Sequence, residues 1–590
     1  MNKLYLQNLS GTIKILAIRY CIISSRCAMV KKNSILITLT TFLFLFLFII
    51  GCSVQDLNNN DPNIKSTQNS PYETKELSFT GTPEPSAIIE TEKISIWIEK
   101  EIQNHSYLNI LKFPDSNVID EKEEANFWIE TQSIEQEDSK IILEEIYILS
   151  VPFINQTKNV IFEDLEKIWS DTTQNHDTVL WIQPEAIDEL GTIFNSNPGN
   201  QVFSSVERPE SCEIINCWRL MNFSHSDPEW RIITIDDQSP LTANFDVSKY
   251  RLAYRIYLNL NTNYDNQIEF PLLIEPKRNY DQSLLTSVLM TGTTALVRNT
   301  AYRIEQFGVE FPIRNLRELI DTMDIIHVSN EVPFYSQCPP AVPVRKEMRF
   351  CSDPGYIETL KIMGVDVVEL TGNHLLDWGP EAFFETLSLY EENGIKTYGG
   401  GRTHEDAEKP LVIEHNGNKI AFLGCNLPGP ENNWASNDRP GSLPCDLDEL
   451  QNTIMELSQQ GINPIFTFQH NEFNTFRATQ IMQEDFWKMA KAGAVIVSGS
   501  QAHFPQGIDF VNSSFIHYGL GNFLFDQMYT YWGMATIDVH YFYNNQYINT
   551  FQYPIINENF GQPRLMNEEE AELLFEKIYG NSFYYQAENP

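Results

Sequence analysis

Between residues 285 and 526 the chain repeats one pattern, in which a short apolar run of strand length breaks into small, polar or ligand-type residues. Leu285–Met290 runs into Thr291-Gly292-Thr293-Thr294, and Ile325-Ile326-His327-Val328 into Ser329-Asn330-Glu331. Val365–Leu370 opens into Thr371-Gly372-Asn373-His374-Leu375-Leu376-Asp377. Pro464–Phe468 leads to Gln469-His470-Asn471-Glu472, Ala494–Val497 to Ser498-Gly499-Ser500-Gln501-Ala502-His503, and Phe515–Tyr518 to Gly519-Leu520-Gly521-Asn522-Phe523. Gly379-Pro380 reads as a helix start, with Phe383, Phe384, Leu387 and Tyr390 at helical spacing behind it. Apolar strands alternating with helices predict an α/β fold, and polar residues leaving strand ends before helices are where such folds build sites. A common rim of strand ends is therefore expected.

The chemistry on that rim is specific. Asp377 and Asn373 flank His374 and are placed to orient an imidazole through its second nitrogen. Glu331 and Glu472 offer a carboxylate pair for general acid/base work, against the alternatives of helix capping or an ion pair with Arg349. His503 is a second candidate ligand, whereas His470 reads as a satisfied or exposed histidine.

These motifs, in this order, resemble the bacterial capsule-synthesis family named for poly-γ-glutamate, the CapA proteins, whose fold is similar to calcineurin-type metallophosphoesterases. The resemblance rests on Asn330-Glu331, Gly372-Asn373-His374-x-x-Asp377-x-Gly379, the Gly399-Gly400-Gly401 turn, and Gly499-x-x-x-His503 followed by Gly519-Leu520-Gly521-Asn522-Phe523. It implies a layered metallophosphoesterase-like β-sandwich with flanking helices. Strand-end placement, taken with the resemblance, gives His374, Asp377, Glu331 and Glu472 as candidate catalytic residues, Asn330, Asn373, His374 and His503 as candidate metal ligands, and Thr293, Gln501 and Asn522 as candidate binding positions. Three departures bear on mechanism. The family's opening Gly-Asp is Gly292-Thr293 here, its His-x-His is Gln501-Ala502-His503, and its His-Trp-Gly-x-Glu corresponds loosely to Phe468–Glu472, where only Glu472 matches. A divalent metal is normally held by four or more N/O ligands with carboxylates among them, so a metal here should bind weakly. Two readings follow: a metal-assisted hydrolase or transferase acting on a γ-glutamyl or phosphoryl bond, or a degenerate member that binds cell-envelope or small anionic ligands without turnover.

The N-terminus points outside the cytoplasm. Lys31-Lys32 precede an apolar block from Ile35 to Ile50 that ends in Gly51-Cys52, the pattern of a lipoprotein signal with Cys52 as the lipidated residue. The block is shorter than the ~20 residues a spanning helix needs. Met29 would make a compact start for this signal. Of nine cysteines, those after the block fall into sequence-near pairs, Cys212 with Cys217, Cys338 with Cys351 and Cys425 with Cys445, as suits an oxidising compartment, although sequence leaves the connectivity open.

The formal net charge of −38 disfavours nucleic acid and anionic lipid headgroups as partners. It would also repel a polyanion such as poly-γ-glutamate unless the site is locally basic. The expected partners are the membrane, through the lipid anchor, and membrane proteins of polymer synthesis. Composition divides the chain into a signal region (1–52), a flexible linker (53–91), an α/β domain (92–280), the CapA-like domain (284–565) and a C-terminal helix and tail (566–590). Within 92–280, strands such as Ile94–Ile98 alternate with helical patterns around Leu165–Trp169, and the stretch from Val151 to Ser170 looks like the hinge of periplasmic solute-binding domains.

Overall fold

The computed structural model describes residues 94–108, 116–131, 139–173, 177–209, 216–261, 275–343 and 348–582. The signal region with Cys52, the linker and Cys212 lie outside them. Residues 91–590 form one compact unit, and no helix among the described residues is long and apolar enough to cross a membrane.

From Leu285 onward the unit is a four-layer α/β/β/α sandwich. One sheet runs Lys396–Tyr398, Val367–Glu369, Ile325–Asn330, Leu285–Thr294, Met534–Tyr543, Gln546–Glu558, Gln562–Leu565; its first four strands are parallel and the rest antiparallel. The other runs Leu411–His415, Asn418–Asn426, Asn463–Gln469, Ile496–Ser498, Ser514–His517, Ile508–Val511, with a parallel centre and antiparallel edges.

Period-two alternation sends successive side chains to opposite faces. Val288, Met290, Ile325 and Val367 therefore meet Ile420, Phe422, Ile465, Ile496 and Phe515 between the sheets. Leu289, Ile326, Val328 and Val368 face outward onto helical residues Ile304, Leu360, Phe383 and Tyr390. On the far side Leu423, Phe466, Val497 and Ile516 meet Leu450, Ile454, Phe486 and Met489. Burial on both faces explains why these strands read as unbroken apolar runs. The helix Gly379–Glu392 has proline in its first turn, as the sequence predicts.

The preceding part builds a ten-stranded sheet around Ser139–Pro152 and Ala253–Leu260. Its helix Phe162–Ser170 buries Phe162, Leu165, Ile168 and Trp169. Its core is continuous with that of the sandwich: the Phe153 ring lies 5.2 Å from both Phe510 and Phe515, and Tyr280 stacks on Tyr543 at 5.9 Å. The C-terminal helix Glu568–Gly580, opened by an Asn567/Glu570 capping box, buries Ala571, Leu574, Phe575 and Ile578 in the sandwich core.

Candidate functional site

Parallel strands bring their C-terminal ends to one edge of each sheet. Here the two edges are stitched together. Thr293 N donates to Gly521 O at 3.0 Å, Asn426 Nδ2 to Thr371 O at 2.8 Å, and Asn433 Nδ2 to Gly372 O at 2.7 Å. Gly292 permits the approach, since a Cβ there would lie 1.9 Å from Gly521 O, and Gly372 lets its loop close on the Glu331 backbone, where a Cβ would lie 2.7 Å from the Glu331 Cα.

At this junction Glu331, Glu472 and His503 come together, each offering one ligand atom, with all three atoms within 4.8 Å of one another. His503 Nε2 lies 3.4 Å from Glu331 Oε1 and 3.8 Å from Glu472 Oε1. Glu331 Oε1 attracts the imidazole as a charge but is not aligned to accept a hydrogen bond. The other ring nitrogen, Nδ1, pairs with Asn522 Oδ1 at 2.7 Å, and Asn522 Nδ2 is anchored on Trp532 O at 3.0 Å. Nε2 is therefore the nitrogen turned to the carboxylates. Glu331 is buried and Glu472 is 39% exposed, so the cluster opens at Glu472.

The electrostatics follow from this packing. Burial alone would lower the His503 pKa, but Glu331, then Glu472 and Asn522, reverse it and hold the imidazole at about 9. Burial raises the Glu331 pKa, yet His503, His374 and Arg298 together leave it below the ordinary glutamate value. Glu472 is raised, first by burial of its base and then by repulsion from Glu331, against the attraction of His503. His374 sits in the same field. Burial lowers its pKa, while its hydrogen bond to Asp377 and the charge of Glu331 outweigh that and leave it raised.

The structure assigns each sequence-derived residue a place. His374 Nδ1 pairs with Asp377 Oδ2 at 2.8 Å, and that same oxygen accepts from Phe350 N at 2.8 Å, so Asp377 orients the imidazole from behind. Arg349 does not pair with Glu331; its Nε donates to Asp377 O at 2.7 Å and its guanidinium covers Trp378. Asn330 turns its amide nitrogen toward Val332 O and Tyr390 OH, both at 2.8 Å. Thr293 Oγ1, Asn373 Oδ1 and both polar atoms of the Gln501 amide are buried without hydrogen-bond partners. His470 is satisfied on both sides, by Asp485 Oδ2 at 2.9 Å and by Asn471 N at 2.9 Å. Disulfides join Cys338 to Cys351 and Cys425 to Cys445, and Cys217 is disulfide-bonded.

Sequence reasoning passed over three contributors. Gln469, at a strand end, is fully buried with both amide atoms unpartnered. Glu369 is fully buried beneath the site, where its carboxyl accepts from Thr371 Oγ1 at 2.5 Å and from Ser500 Oγ. Burial raises its pKa, and the surrounding hydroxyls only partly offset that. Its signal was available: a glutamate inside a run that must be buried on both faces is anomalous. Arg298, the third, had no local signal.

Unpaired buried polar atoms are costly unless a ligand or water completes them, and they gather here on Thr293, Glu331, Asn373, Gln469 and Gln501. Two carboxylates and one imidazole are a hard-and-borderline donor set that suits a single divalent cation with open positions. The donor chemistry thus fits a metal, held by fewer charged groups than a full two-metal site would use.

Known proteins resemble the chain over the region that carries this cluster. Residues 287–527 match the family model described as "Bacterial capsule synthesis protein PGA_cap". The capsule biosynthesis protein CapA of Bacillus anthracis is 24% identical over 264 residues, covering 44% of this chain and 64% of that protein. The PGA biosynthesis protein CapA of Bacillus subtilis (strain 168) is 27% identical over 190 residues, covering 31% of this chain and 49% of that protein. The chain thus spans less than two thirds of the length of either relative. Among solved structures, the 5'-nucleotidase precursor from Thermus thermophilus aligns at a TM-score of 0.30 and 13% identity, over 50% of this chain and 58% of that one. An ABC-type phosphate transport receptor from Vibrio cholerae aligns at 0.21 and 12% identity, over 30% and 89%. Over residues 287–527, the chain is similar to the bacterial capsule-synthesis proteins of the CapA type.

Proposed function

We propose that this protein acts in the synthesis, export or anchoring of an extracellular polymer of the capsule or poly-γ-glutamate type, through a site that holds one divalent cation. The observation that carries this reading is the Glu331, Glu472 and His503 cluster, lying inside the segment that matches the capsule-synthesis family. A cation held there would polarise a bound carbonyl or phosphoryl oxygen and acidify a bound water.

The chain's own groups divide the remaining work. Asn522 fixes the His503 tautomer so that Nε2 faces the cluster. Glu331 supplies buried negative charge. Glu472, half-exposed at the mouth with a raised pKa, is the group placed to exchange a proton with a substrate. His374, held by Asp377, keeps its proton more readily than a free histidine, which favours donation from its other ring nitrogen to an anionic oxygen. The expected chemistry is metal-assisted hydrolysis or transfer at a γ-glutamyl or phosphoryl bond.

A second reading, binding without turnover, draws on the neutral side chains of Thr293 and Gln501 and on the unpaired Gln469 amide. Replacing the genomic copy with Glu331→Gln separates the two. Loss of extracellular polymer with normal protein level supports chemistry at the site, whereas unchanged polymer contradicts it.

Anchoring through Cys52 at the outer face of the cytoplasmic membrane, beside membrane proteins of polymer synthesis, belongs to the same proposal. Cys52→Ala should release the protein from membranes or block its processing, and unchanged size and fractionation would reject the anchor.

A further inference from the structure

Arg298 opens the helix Arg298–Phe307 in the left-handed region, at φ 49°, although it is not glycine. Strain of this kind persists only where surrounding contacts over-determine it. Those contacts lead to the site from two directions. The Arg298 guanidinium lies 5.2 Å from the Phe350 ring and 4.8 Å from the Phe525 ring. Phe350 packs edge-on against His374 at 4.8 Å, and Phe525 stacks on His503 at 5.3 Å. Both phenylalanines are almost fully buried.

The polar contacts close the same frame. Arg298 Nε donates to Asp526 Oδ1 at 3.1 Å, Nη2 donates to the same oxygen, and Asn299 N donates to Asp526 Oδ2 at 3.1 Å. Asp526 and Phe525 belong to the turn that carries Asn522, the partner of His503 Nδ1. Phe350 N donates to Asp377 Oδ2, the partner of His374 Nδ1. One side chain therefore connects the supports of both imidazoles.

We infer that Arg298 is a positioning residue of this site, a cation clamped between two aromatic rings that fixes His374 and His503 relative to one another. A planar guanidinium can stack on two rings while forking onto a carboxylate, and an ammonium cannot.

The test compares Arg298→Met, Arg298→Lys and the wild type by isothermal titration with Zn²⁺ and by NMR of the histidine ring protons in the metal-free protein. The titration rests on the reading of Glu331, Glu472 and His503 as a cation site; the NMR does not. Positioning and charge predict opposite signs. Arg298 stands close enough to Glu331 to lower its pKa, so removing a mere positive charge would tighten cation binding. Loss of the clamp should instead weaken Zn²⁺ binding on the order of tenfold in Arg298→Met, with partial recovery in Arg298→Lys. Tighter or unchanged binding in Arg298→Met would overturn the inference.

If the wild type binds no Zn²⁺, the cation reading fails and the NMR decides the clamp alone. Ring signals of both His374 and His503 should move in Arg298→Met and stay put in the surface control Arg314→Met; unmoved signals overturn the clamp. Should Arg298→Met fail to fold, Phe525→Leu and Phe350→Leu take its place. The first should disturb His503 and spare His374, the second the reverse, and any other pattern contradicts the arrangement.

Discussion

His470 and His503 leave neighbouring strands of one sheet, the first after Asn463–Gln469 and the second after Ile496–Ser498, and each meets a carboxylate, yet the outcomes are opposite. His470 has a hydrogen-bond partner for each nitrogen, and burial lowers its pKa despite Asp485. His503 has one nitrogen fixed by Asn522 and the other facing two carboxylates without a hydrogen bond, and its pKa stands at about 9. A satisfied histidine stabilises its loop. One whose free nitrogen faces two carboxylates leaves a donor set that a ligand could complete. Between these two histidines the difference lies in the second ring nitrogen, which His470 commits to Asn471 N and His503 turns toward the carboxylates.

The comparison breaks most sharply at Glu331. Glu331→Gln should cost more than about a hundredfold in divalent-cation affinity, since it removes a ligand rather than a group behind one. It should also pull the His503 titration midpoint down from about 9 toward the ordinary value of 6.5, followed by NMR. A folded pKa raised above 6.5 gives stability that is fully present below that pH and is lost as pH rises through about 9. Glu331→Gln should flatten stability against pH across that window in metal-free protein, while Asp485→Asn at His470 should leave it unchanged.

Reconstruction sharpens the same contrast from the other side. Thr293→Asp with Gln501→His adds a carboxylate and an imidazole at buried, unpartnered positions and should raise cation affinity about tenfold or more by calorimetry. No gain would favour a pocket built for a neutral or anionic ligand.

Glu369 tests the ground under His503. Glu369→Ala removes the acceptor shared by Thr371 and Ser500 inside a buried layer, so a loss of about 1–3 kcal/mol in denaturant unfolding is expected, with the His470 signals unmoved. Asp485→Asn is the smallest change, about 1 kcal/mol, with cation binding intact. Loss of binding there would erase the distinction between the two histidines.

Much of this was legible in the residues. Each run from Leu285 to Phe523 forms a buried strand or strand end, and the polar residues after it reach a common edge, because parallel strands have to deliver their C-termini together. The orienting role of Asp377 follows from a separation of three residues on one loop. The carboxylate and imidazole cluster was harder to read. Glu331 and Glu472 lie far apart in the chain, and only the meeting of two sheets places them beside His503. Arg298 acts through rings at 350 and 525, which no local pattern connects. The Glu369 layer was visible as an anomaly, although its partners Thr371 and Ser500 come from different sheets.

The central claim is that Glu331, Glu472 and His503 hold one divalent cation and that His503 carries a proton until it arrives. Titration of the purified protein with Zn²⁺ at pH 7, in buffers of different ionisation enthalpy, tests both halves at once. The expected result is one cation per chain with about one proton released, because a ligating imidazole must first lose the proton that a pKa of about 9 gives it. No binding, or binding that persists with the same affinity and proton count in Glu331→Gln, would contradict the account.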